Sequence, residues 1–221
     1  RYLRDVVGIG AAQRCLVANG VDTQAFRPNR DAIPADCPFR QGEHWIVGTV
    51  GRMMTVKNQP LLARAFVELL RQRPELADRV RLVMVGDGPL RAEVERVLRE
   101  AGRLALAWLP GARKDVAELL QCLDVFVLPS QAEGTSCTLQ EAMASGRTVL
   151  ATAVGGTPDL VRDGSDGLLV PSDDEAAMVR ALVRLHDDPA LANSLAQAAR
   201  RRAVGDFSID TMISAYDSLF T

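Results

Sequence analysis

The sequence contains no long hydrophobic run. None of its apolar stretches approaches the roughly 18 residues that a membrane-spanning helix requires. The opening residues, RYLRDVVGIG, lack the unbroken apolar core of a signal peptide. We therefore expect a cytoplasmic protein without a transmembrane helix.

Neither sign of charge is in excess. The chain has 26 Lys and Arg residues against 28 Asp and Glu residues, a formal net charge of −2. No global field therefore attracts nucleic acid or an acidic membrane surface. We expect no nucleic-acid partner, and an anionic ligand must be held by a local site.

Cysteine and histidine are scarce. The four cysteines form no CxxC pair, which argues against a zinc site and, in a cytosolic chain, against disulfides. The two histidines, His44 and His186, stand in no pattern typical of a catalytic base. We expect free thiols that mostly pack as small apolar groups. The cysteines are Cys15, Cys37, Cys122 and Cys137.

The sequence does contain short apolar runs that alternate with longer amphipathic ones. Strand-like runs are WIVGTV, RLVMVG, LALAW, DVFVLP, TVLAT and GLLVP. Segments between them, such as NQPLLARAFVELLRQRP, repeat apolar residues at helical spacing. Nearly continuous apolar strands separated by helices are typical of a parallel sheet covered on both faces. We predict a doubly wound, Rossmann-like α/β fold, with three helices after Asp174 packed outside the sheet.

Five polar, glycine-containing loops follow predicted strands. They are GTVGRMMTVKNQ, GDGP, LPGARKD, SQAEGTS and AVGGTPD. Ligands of such sheets bind beyond the carboxyl ends of the strands, so all five loops should share one edge. GDGP does not complete a dinucleotide fingerprint, which argues against a dehydrogenase. Gly155 and Gly156 indicate either close approach of a ligand or a tight turn.

The segment EGTSCTLQE has two interpretations. In the first, Thr138 and Glu141 form a capping box that starts a helix ended by Gly146. In the second, the start of this helix binds a phosphate, which small residues allow to approach the backbone. Glu141 would then accept hydrogen bonds from two ribose hydroxyls, and Glu133 would face the group beyond the distal phosphate.

The stretch EGTSCTLQEAMASGRTVLATAVGGTPDLV resembles the E-x7-E region of the glycosyltransferase group 1 family, whose members are retaining GT-B enzymes with nucleotide-sugar donors. Further matching segments, in order, are NGVDTQAFRP, GRMMTVKNQ, VGDGPLR, PGARKDV and DGLLVPSDD. A lone E-x7-E is a weak signal, but six ordered segments are specific. Ser136 and Asp159 depart from the proline and glutamate that the family often has there.

The resemblance implies a role for individual residues. Arg52 and Lys57 would bind the donor diphosphate in place of a divalent metal, so no metal or cofactor is expected. Glu133 would contact the donor sugar and Glu141 the ribose, while Arg113 would contact the base. The remaining donor-binding residues would be Gly51, Gly134, Thr135, Ser136, Cys137 and Thr138.

The resemblance also implies a domain organisation. Residues 1–221 would form a single nucleotide-sugar-binding domain, the C-terminal half of a GT-B fold, with 1–14 and 207–221 linking it to an N-terminal half. That half would bind an acceptor sugar or a lipid-linked acceptor and could contact the inner face of the membrane peripherally.

The expected function is donor binding for transfer of a sugar to an acceptor hydroxyl with retention, in polysaccharide or glycoconjugate biosynthesis. By itself the chain should be inactive. Two alternatives are a non-catalytic nucleotide-binding module and a GT-B-like nucleotide-sugar epimerase.

Overall fold

A computed structural model describes residues 7–8, 10, 15, 17–29 and 32–220. Within these residues, six strands form one sheet in the order β3-β2-β1-β4-β5-β6, and every neighbouring pair is parallel. The strands are β1 (Trp45–Val50), β2 (Val80–Val85), β3 (Ala107–Gly111), β4 (Val125–Leu128), β5 (Thr148–Thr152) and β6 (Leu168–Val170). The strand order reverses between β1 and β4, so the switch point lies there.

Helices connect the strands and follow the last of them. They are α1 (Gln59–Gln72), α2 (Arg91–Glu100), α3 (Val116–Gln121), α4 (Cys137–Ala144), α5 (Thr157–Leu160), α6 (Glu175–Asp187), α7 (Pro189–Asp206) and α8 (Ile209–Asp217). Short 3-10 helices cover Thr55–Lys57, Pro74–Asp78 and Leu104–Leu106. The predicted α/β class and the three helices after β6 are confirmed.

The sheet is buried on both faces. Successive residues of β1, Ile46 and Val47, are both 0% exposed and belong to different hydrophobic clusters. One cluster contains α1 and α6 residues such as Phe66 and Leu182, and the other contains α4 residues such as Met143. Since neighbouring strand residues point to opposite faces, burial on both sides explains why the strands read as continuous apolar runs.

The third strand begins later than its sequence suggests. The run LALAW was predicted as a strand, but Leu104–Leu106 is a 3-10 helix and β3 covers Ala107–Gly111. Leucine and alanine lack the β-branching that favours strands, and both leucines reach the core from the 3-10 turn. Pro110 is tolerated in β3 because this strand lies at the sheet edge and pairs with β2 on one side.

The start and end of the described chain meet near α8. The Val21 N–H donates to the Phe207 carbonyl at 2.8 Å, and the Ile209 N–H donates to the Val21 carbonyl at 3.2 Å. Of the predicted linking segments, most of 1–14 lies outside the described residues. Tyr216 on α8 and Leu219 just after it are each 48% exposed. Among the described residues, no helix combines the length and apolar character needed to cross a membrane.

The four cysteines are free thiols, as predicted. Two of them, Cys37 and Cys122, are buried in the hydrophobic core. Cys15 and Cys137 are exposed, so the expectation of apolar packing holds for half of the set.

Candidate functional site

The loops that follow β1 and β2 pack backbone against backbone. A Cβ atom on Gly86 would lie 2.0 Å from the Gly51 carbonyl oxygen, and one on Gly88 would lie 2.5 Å from the Met53 carbonyl oxygen. The Met53 N–H also donates to the Asp87 carbonyl at 2.9 Å. The glycines of GDGP are therefore needed because a side chain would displace the neighbouring loop.

The loops that follow β4 and β5 meet in the same way. A Cβ atom on Gly155 would lie 1.8 Å from the Glu133 carbonyl oxygen, and one on Gly156 would lie 2.2 Å from that of Gly134. The Gly156 N–H approaches the Glu133 carbonyl at 3.2 Å. The glycine pair thus allows close approach of the chain to itself, and this contact fixes the backbone at Glu133.

Two predicted site residues, Lys57 and Glu133, form an ion pair across the switch point. The Lys57 Nζ lies 2.7 Å from the Glu133 Oε1, with the two side chains 28% and 7% exposed. Their loops are joined where the Gln131 N–H donates to the Val56 carbonyl at 2.8 Å. The adjacency of β1 and β4 therefore brings an ammonium and a carboxylate from distant segments to one point at the carboxyl edge of the sheet.

Arg52 supplies a second cation at this edge. Its backbone is held because the Gln59 Nε2 donates to the Arg52 carbonyl at 2.8 Å, and Gln59 is 2% exposed. Its guanidinium is exposed and pairs with no group in the part of the chain that the structure describes. The loop after β1 thus carries an exposed positive charge on a backbone that is held in place.

The helix α4 begins at the same edge. Ser136, 3% exposed, is its N-cap, and the Ser136 Oγ accepts from the Leu139 N–H at 3.4 Å. The predicted capping box of Thr138 and Glu141 is wrong, because the fixed loop before α4 starts the helix at Cys137 and places Thr138 inside the first turn. The first N–H groups of a helix have no intrahelical partner, so this end can bind an anion.

The small residues predicted to line the donor path surround this helix start. Gly134, Thr135 and Cys137 are exposed, whereas Ser136 is buried. A Cβ atom on Gly134 would meet nothing within 4 Å. Open space therefore lies beside Gly134, on the loop that precedes α4.

Glu141 lies one turn into α4 and is half-buried. Burial raises the pKa of its carboxyl above the usual range. Within the described residues no donor reaches this carboxylate. A half-buried carboxylate without a partner can accept hydrogen bonds from a ligand.

Arg113 lies on the loop after β3 and already has two partners. Its Nη2 lies 2.6 Å from the Asp115 Oδ2, and its Nη1 lies 2.5 Å from the Asp36 Oδ2. Hydrogen bonds to Asp115 and then Asp36 raise the pKa of the Arg113 guanidinium. The guanidinium is also 5.9 Å from the centre of the Trp108 ring. The structure does not join Arg113 to Lys57 or Glu133.

Sequence reasoning missed Asp173 as a residue that ties three loops together. Its Oδ1 accepts from the Asn58 Nδ2 at 2.7 Å and from the Gln131 Nε2 at 3.1 Å. These bonds link the loops after β1, β4 and β6. Asp173 lies in the segment DGLLVPSDD, which matches the family pattern, but the match alone assigns no role to an individual residue.

Asn19 was missed in the same way. The Gln140 Nε2 donates to the Asn19 carbonyl at 2.8 Å, and the Asn19 Nδ2 lies 3.7 Å from the Cys137 Sγ. The NGVD segment therefore docks on the start of α4, 121 positions away in sequence.

The candidate site is not identified by the volume of a cavity. A cavity of about 520 Å³ lies at the opposite edge of the sheet, lined by residues at strand starts such as Trp45 and Thr148. In the described part of the chain, no three His, Cys, Asp or Glu side chains gather into a cluster that could hold a metal ion. The candidate site is identified instead by convergent loops and charged side chains.

Comparison with known proteins agrees with this geometry. Residues 44–188 match the family model described as Glycosyl transferases group 1. The chain is 35% identical over 215 residues to a D-inositol 3-phosphate glycosyltransferase of Streptomyces avermitilis, covering 93% of this chain and 46% of that protein. The chain thus spans about half the length of the curated relatives it matches.

Two solved structures share the fold. A sucrose-phosphate synthase of Thermosynechococcus elongatus superposes with a TM-score of 0.82 and 29% identity, covering 99% of this chain and 54% of that one. HepE of Anabaena in complex with UDP and glucose gives a TM-score of 0.84 and 21% identity, covering 96% of this chain and 58% of that one. The family match, the curated relative and the fold agree. The chain belongs to the glycosyl transferases group 1 family.

Proposed function

We propose that this chain binds the nucleoside-diphosphate sugar of a glycosyltransferase, which transfers the sugar to an acceptor hydroxyl. The observation that carries the proposal is the convergence at one sheet edge of Lys57, Glu133, Arg52 and the N-terminus of α4. Two cations and a helix N-terminus suit a diphosphate, and a neighbouring carboxylate suits sugar hydroxyls.

Each residue has a role in this proposal. Arg52 and Lys57 neutralise the diphosphate, with Gly51 beside them as part of the donor-binding surface, so the leaving group is stabilised without a metal. Glu141 accepts hydrogen bonds from the ribose hydroxyls, and Glu133 contacts the donor sugar. Gly134, Thr135, Ser136, Cys137 and Thr138 leave room for the phosphates, and Arg113 contacts the base after exchanging a carboxylate partner.

The proposed transfer retains the anomeric configuration. The acceptor oxygen forms a bond to the anomeric carbon on the face from which the phosphate oxygen leaves. The acceptor proton passes to that phosphate oxygen, and the nucleoside diphosphate departs paired with Arg52 and Lys57. Neither glutamate forms a covalent bond to the sugar.

The relatives support this donor class. HepE holds UDP and glucose in its crystal structure, and the curated relative is named a glycosyltransferase. Because this chain spans 46% of that relative, we propose that an acceptor sugar or lipid-linked acceptor is bound by a separate N-terminal half. A role in polysaccharide or glycoconjugate synthesis, and a cytoplasmic location, are part of the same proposal.

Calorimetric titration with UDP, GDP and ADP tests the donor site. We expect one nucleotide to bind preferentially, and Glu141→Ala to weaken binding about tenfold or more because a charged hydrogen-bond acceptor is lost. Glu68→Ala is a matched control, since Glu68 is a partly exposed helical glutamate that pairs within α1. A folded chain that binds none of the three nucleotides, or loses binding equally in both variants, contradicts the proposal.

A further inference from the structure

A buried serine lies directly behind Glu133. The Ser130 Oγ donates to the Glu133 Oε1 at 2.6 Å, and this is the same oxygen that accepts from the Lys57 Nζ at 2.7 Å. Ser130 is 0% exposed. One carboxylate oxygen therefore receives two donors, of which one is buried and the other faces the crevice.

A second hydroxyl holds the serine. The Thr152 Oγ1 donates to the Ser130 carbonyl at 2.5 Å and approaches the Leu128 carbonyl at 3.3 Å. Thr152 is also 0% exposed and is the last residue of β5. The serine is thus anchored to the sheet, so its hydroxyl donates from a fixed position.

The two carboxylate oxygens of Glu133 differ in the number of hydrogen-bond donors that reach them. Within the described structure no group donates to its Oε2, whereas its Oε1 has two donors. Two donors on one oxygen restrict rotation of the carboxylate far more than one cation does. The remaining oxygen is directed by the protein before any ligand arrives.

We propose that Ser130, supported by Thr152, is a positioning residue. It holds the Glu133 carboxylate so that Oε2 is available to a donor-sugar hydroxyl, and through Glu133 it holds the Lys57 ammonium beside the diphosphate. The assignment rests on the proposed function for its ligand, but the positioning of Lys57 can be measured without one.

The ligand-free test uses the Lys57 ammonium as a reporter. In the 221-residue chain labelled with ¹⁵N-lysine, Ser130→Ala should speed the exchange of the Lys57 Nζ protons with water by about threefold or more, because a mobile carboxylate releases the ammonium. Ser145→Ala is the matched control, since Ser145 is equally buried at 0% exposure and its hydroxyl has no partner among the residues that the structure describes. A merely structural role for Ser130 would leave the Lys57 signal unchanged.

A second test, with ligands, measures how much the sugar contributes to the binding affinity of a nucleotide sugar. The dissociation constants of UDP, GDP and ADP are compared with those of UDP-glucose, GDP-glucose and ADP-glucose. Ser130→Ala should reduce the affinity gain from glucose by about 5- to 10-fold. Nucleotide affinity should fall by a smaller factor, because the released Lys57 keeps its charge near the diphosphate. Ser130→Thr, which keeps the hydroxyl, should restore the gain.

The two readouts separate the possible failures. If no nucleotide binds but Ser130→Ala still frees Lys57, the proposed function is wrong and the positioning role stands. If a nucleotide binds but Lys57 exchange is the same in Ser130→Ala and Ser145→Ala, the positioning role is wrong and the function stands. Equal loss of nucleotide and nucleotide-sugar affinity, with a lowered melting temperature, would also overturn the positioning role.

Discussion

Gly155 and Gly164 have similar left-handed backbones but different surroundings. Their φ angles are +52° and +70°, and a Cβ atom would lie 1.8 Å from the Glu133 carbonyl oxygen at Gly155 but meet nothing within 4 Å at Gly164. Gly164→Ala should cost about 1 kcal/mol of unfolding free energy, from backbone strain alone. Gly155→Ala should cost about 2–4 kcal/mol, since the loop carrying Glu133 must also move.

Urea unfolding of both glycine variants measures these costs. Gly155→Ala should in addition abolish nucleotide binding, whereas Gly164→Ala should preserve it. Equal destabilisation by the two substitutions would mean that the loops after β4 and β5 do not depend on their close contact.

Glu141 links the site to a pH dependence of stability. Because burial raises its pKa in the folded state, the unfolded carboxyl ionises first as the pH rises, and ionised Glu141 then opposes folding. Glu141→Gln should therefore raise the melting temperature at pH 7 by about 1–3 °C while weakening nucleotide binding. The stability difference should shrink as the pH falls through the raised pKa, and it should vanish only below the lower pKa of the unfolded state, where the wild-type carboxyl is protonated in both states.

Thermal melts of wild type and Glu141→Gln at several pH values from about 4 to about 8 check the direction of this stability difference, because the range starts near the ordinary pKa of a glutamate and extends well above it. A difference that stays constant with pH, or a variant less stable at pH 7, would show that burial is not what sets the Glu141 pKa.

The sequence could identify single site residues but not their contacts. Lys57 and Glu133 were both predicted, yet their ion pair joins residues 76 positions apart. Ser130 was not predicted, because a serine carries no local signal until the fold places it behind a carboxylate. The contacts depend on which strands are neighbours, and short-range patterns do not contain that information.

At the scale of elements, the start of α4 shows how a correct pattern can mislead. Thr138 and Glu141 have capping-box spacing, but Ser136 is the residue that caps the helix. The loop before α4 is fixed by its packing on Gly155 and Gly156, so tertiary contact overrides the local pattern. The run LALAW failed for a related reason, since short apolar runs are compatible with either a strand or a helical turn.

The cap can be tested by substitution. Ser136→Ala should lower the unfolding free energy by about 0.5–1 kcal/mol, because the Leu139 N–H loses its acceptor and the observed 3.4 Å bond is long. Thr138→Ala should cost less than about 0.5 kcal/mol, as expected for a residue that is not the cap. Urea titrations without ligand compare the unfolding free energies of the two variants. A larger loss for Thr138→Ala would support the capping box of Thr138 and Glu141 instead of the Ser136 cap.

At the scale of the whole molecule, strand order is what assembles the crevice. The alternation of strands and helices predicted a parallel sheet and its ligand-binding edge. It could not predict that β1 would lie between β2 and β4, which places the loops carrying Lys57 and Glu133 side by side. Strand order is set by the packing of all helices on both faces, so no single segment specifies it.

The loops of three strands also depend on one carboxylate. Asn58 and Asp173 have left-handed backbones, with φ angles of 48° and 58°, which is costly for residues other than glycine. The bond from the Asn58 Nδ2 to the Asp173 Oδ1, at 2.7 Å, offsets this strain. The Gln131 Nε2 donates to the same carboxylate at 3.1 Å, so Asp173 couples loops from both sides of the switch point.

Asp173→Ala should therefore make the loops after β1, β4 and β6 more mobile together. We expect a loss of about 1–3 kcal/mol of unfolding free energy, because two side-chain donors lose a charged acceptor, and faster hydrogen exchange at the Gln131 and Lys57 amides. Asp163→Ala is the matched control, since the Asp163 Oδ1 accepts from the Leu169 N–H of the following strand, β6, at 2.9 Å. It should destabilise the chain without changing exchange at those amides or the nucleotide affinity. If Asp163→Ala and Asp173→Ala lower nucleotide affinity equally, the three loops are not coupled through Asp173, and general loss of stability explains the effect.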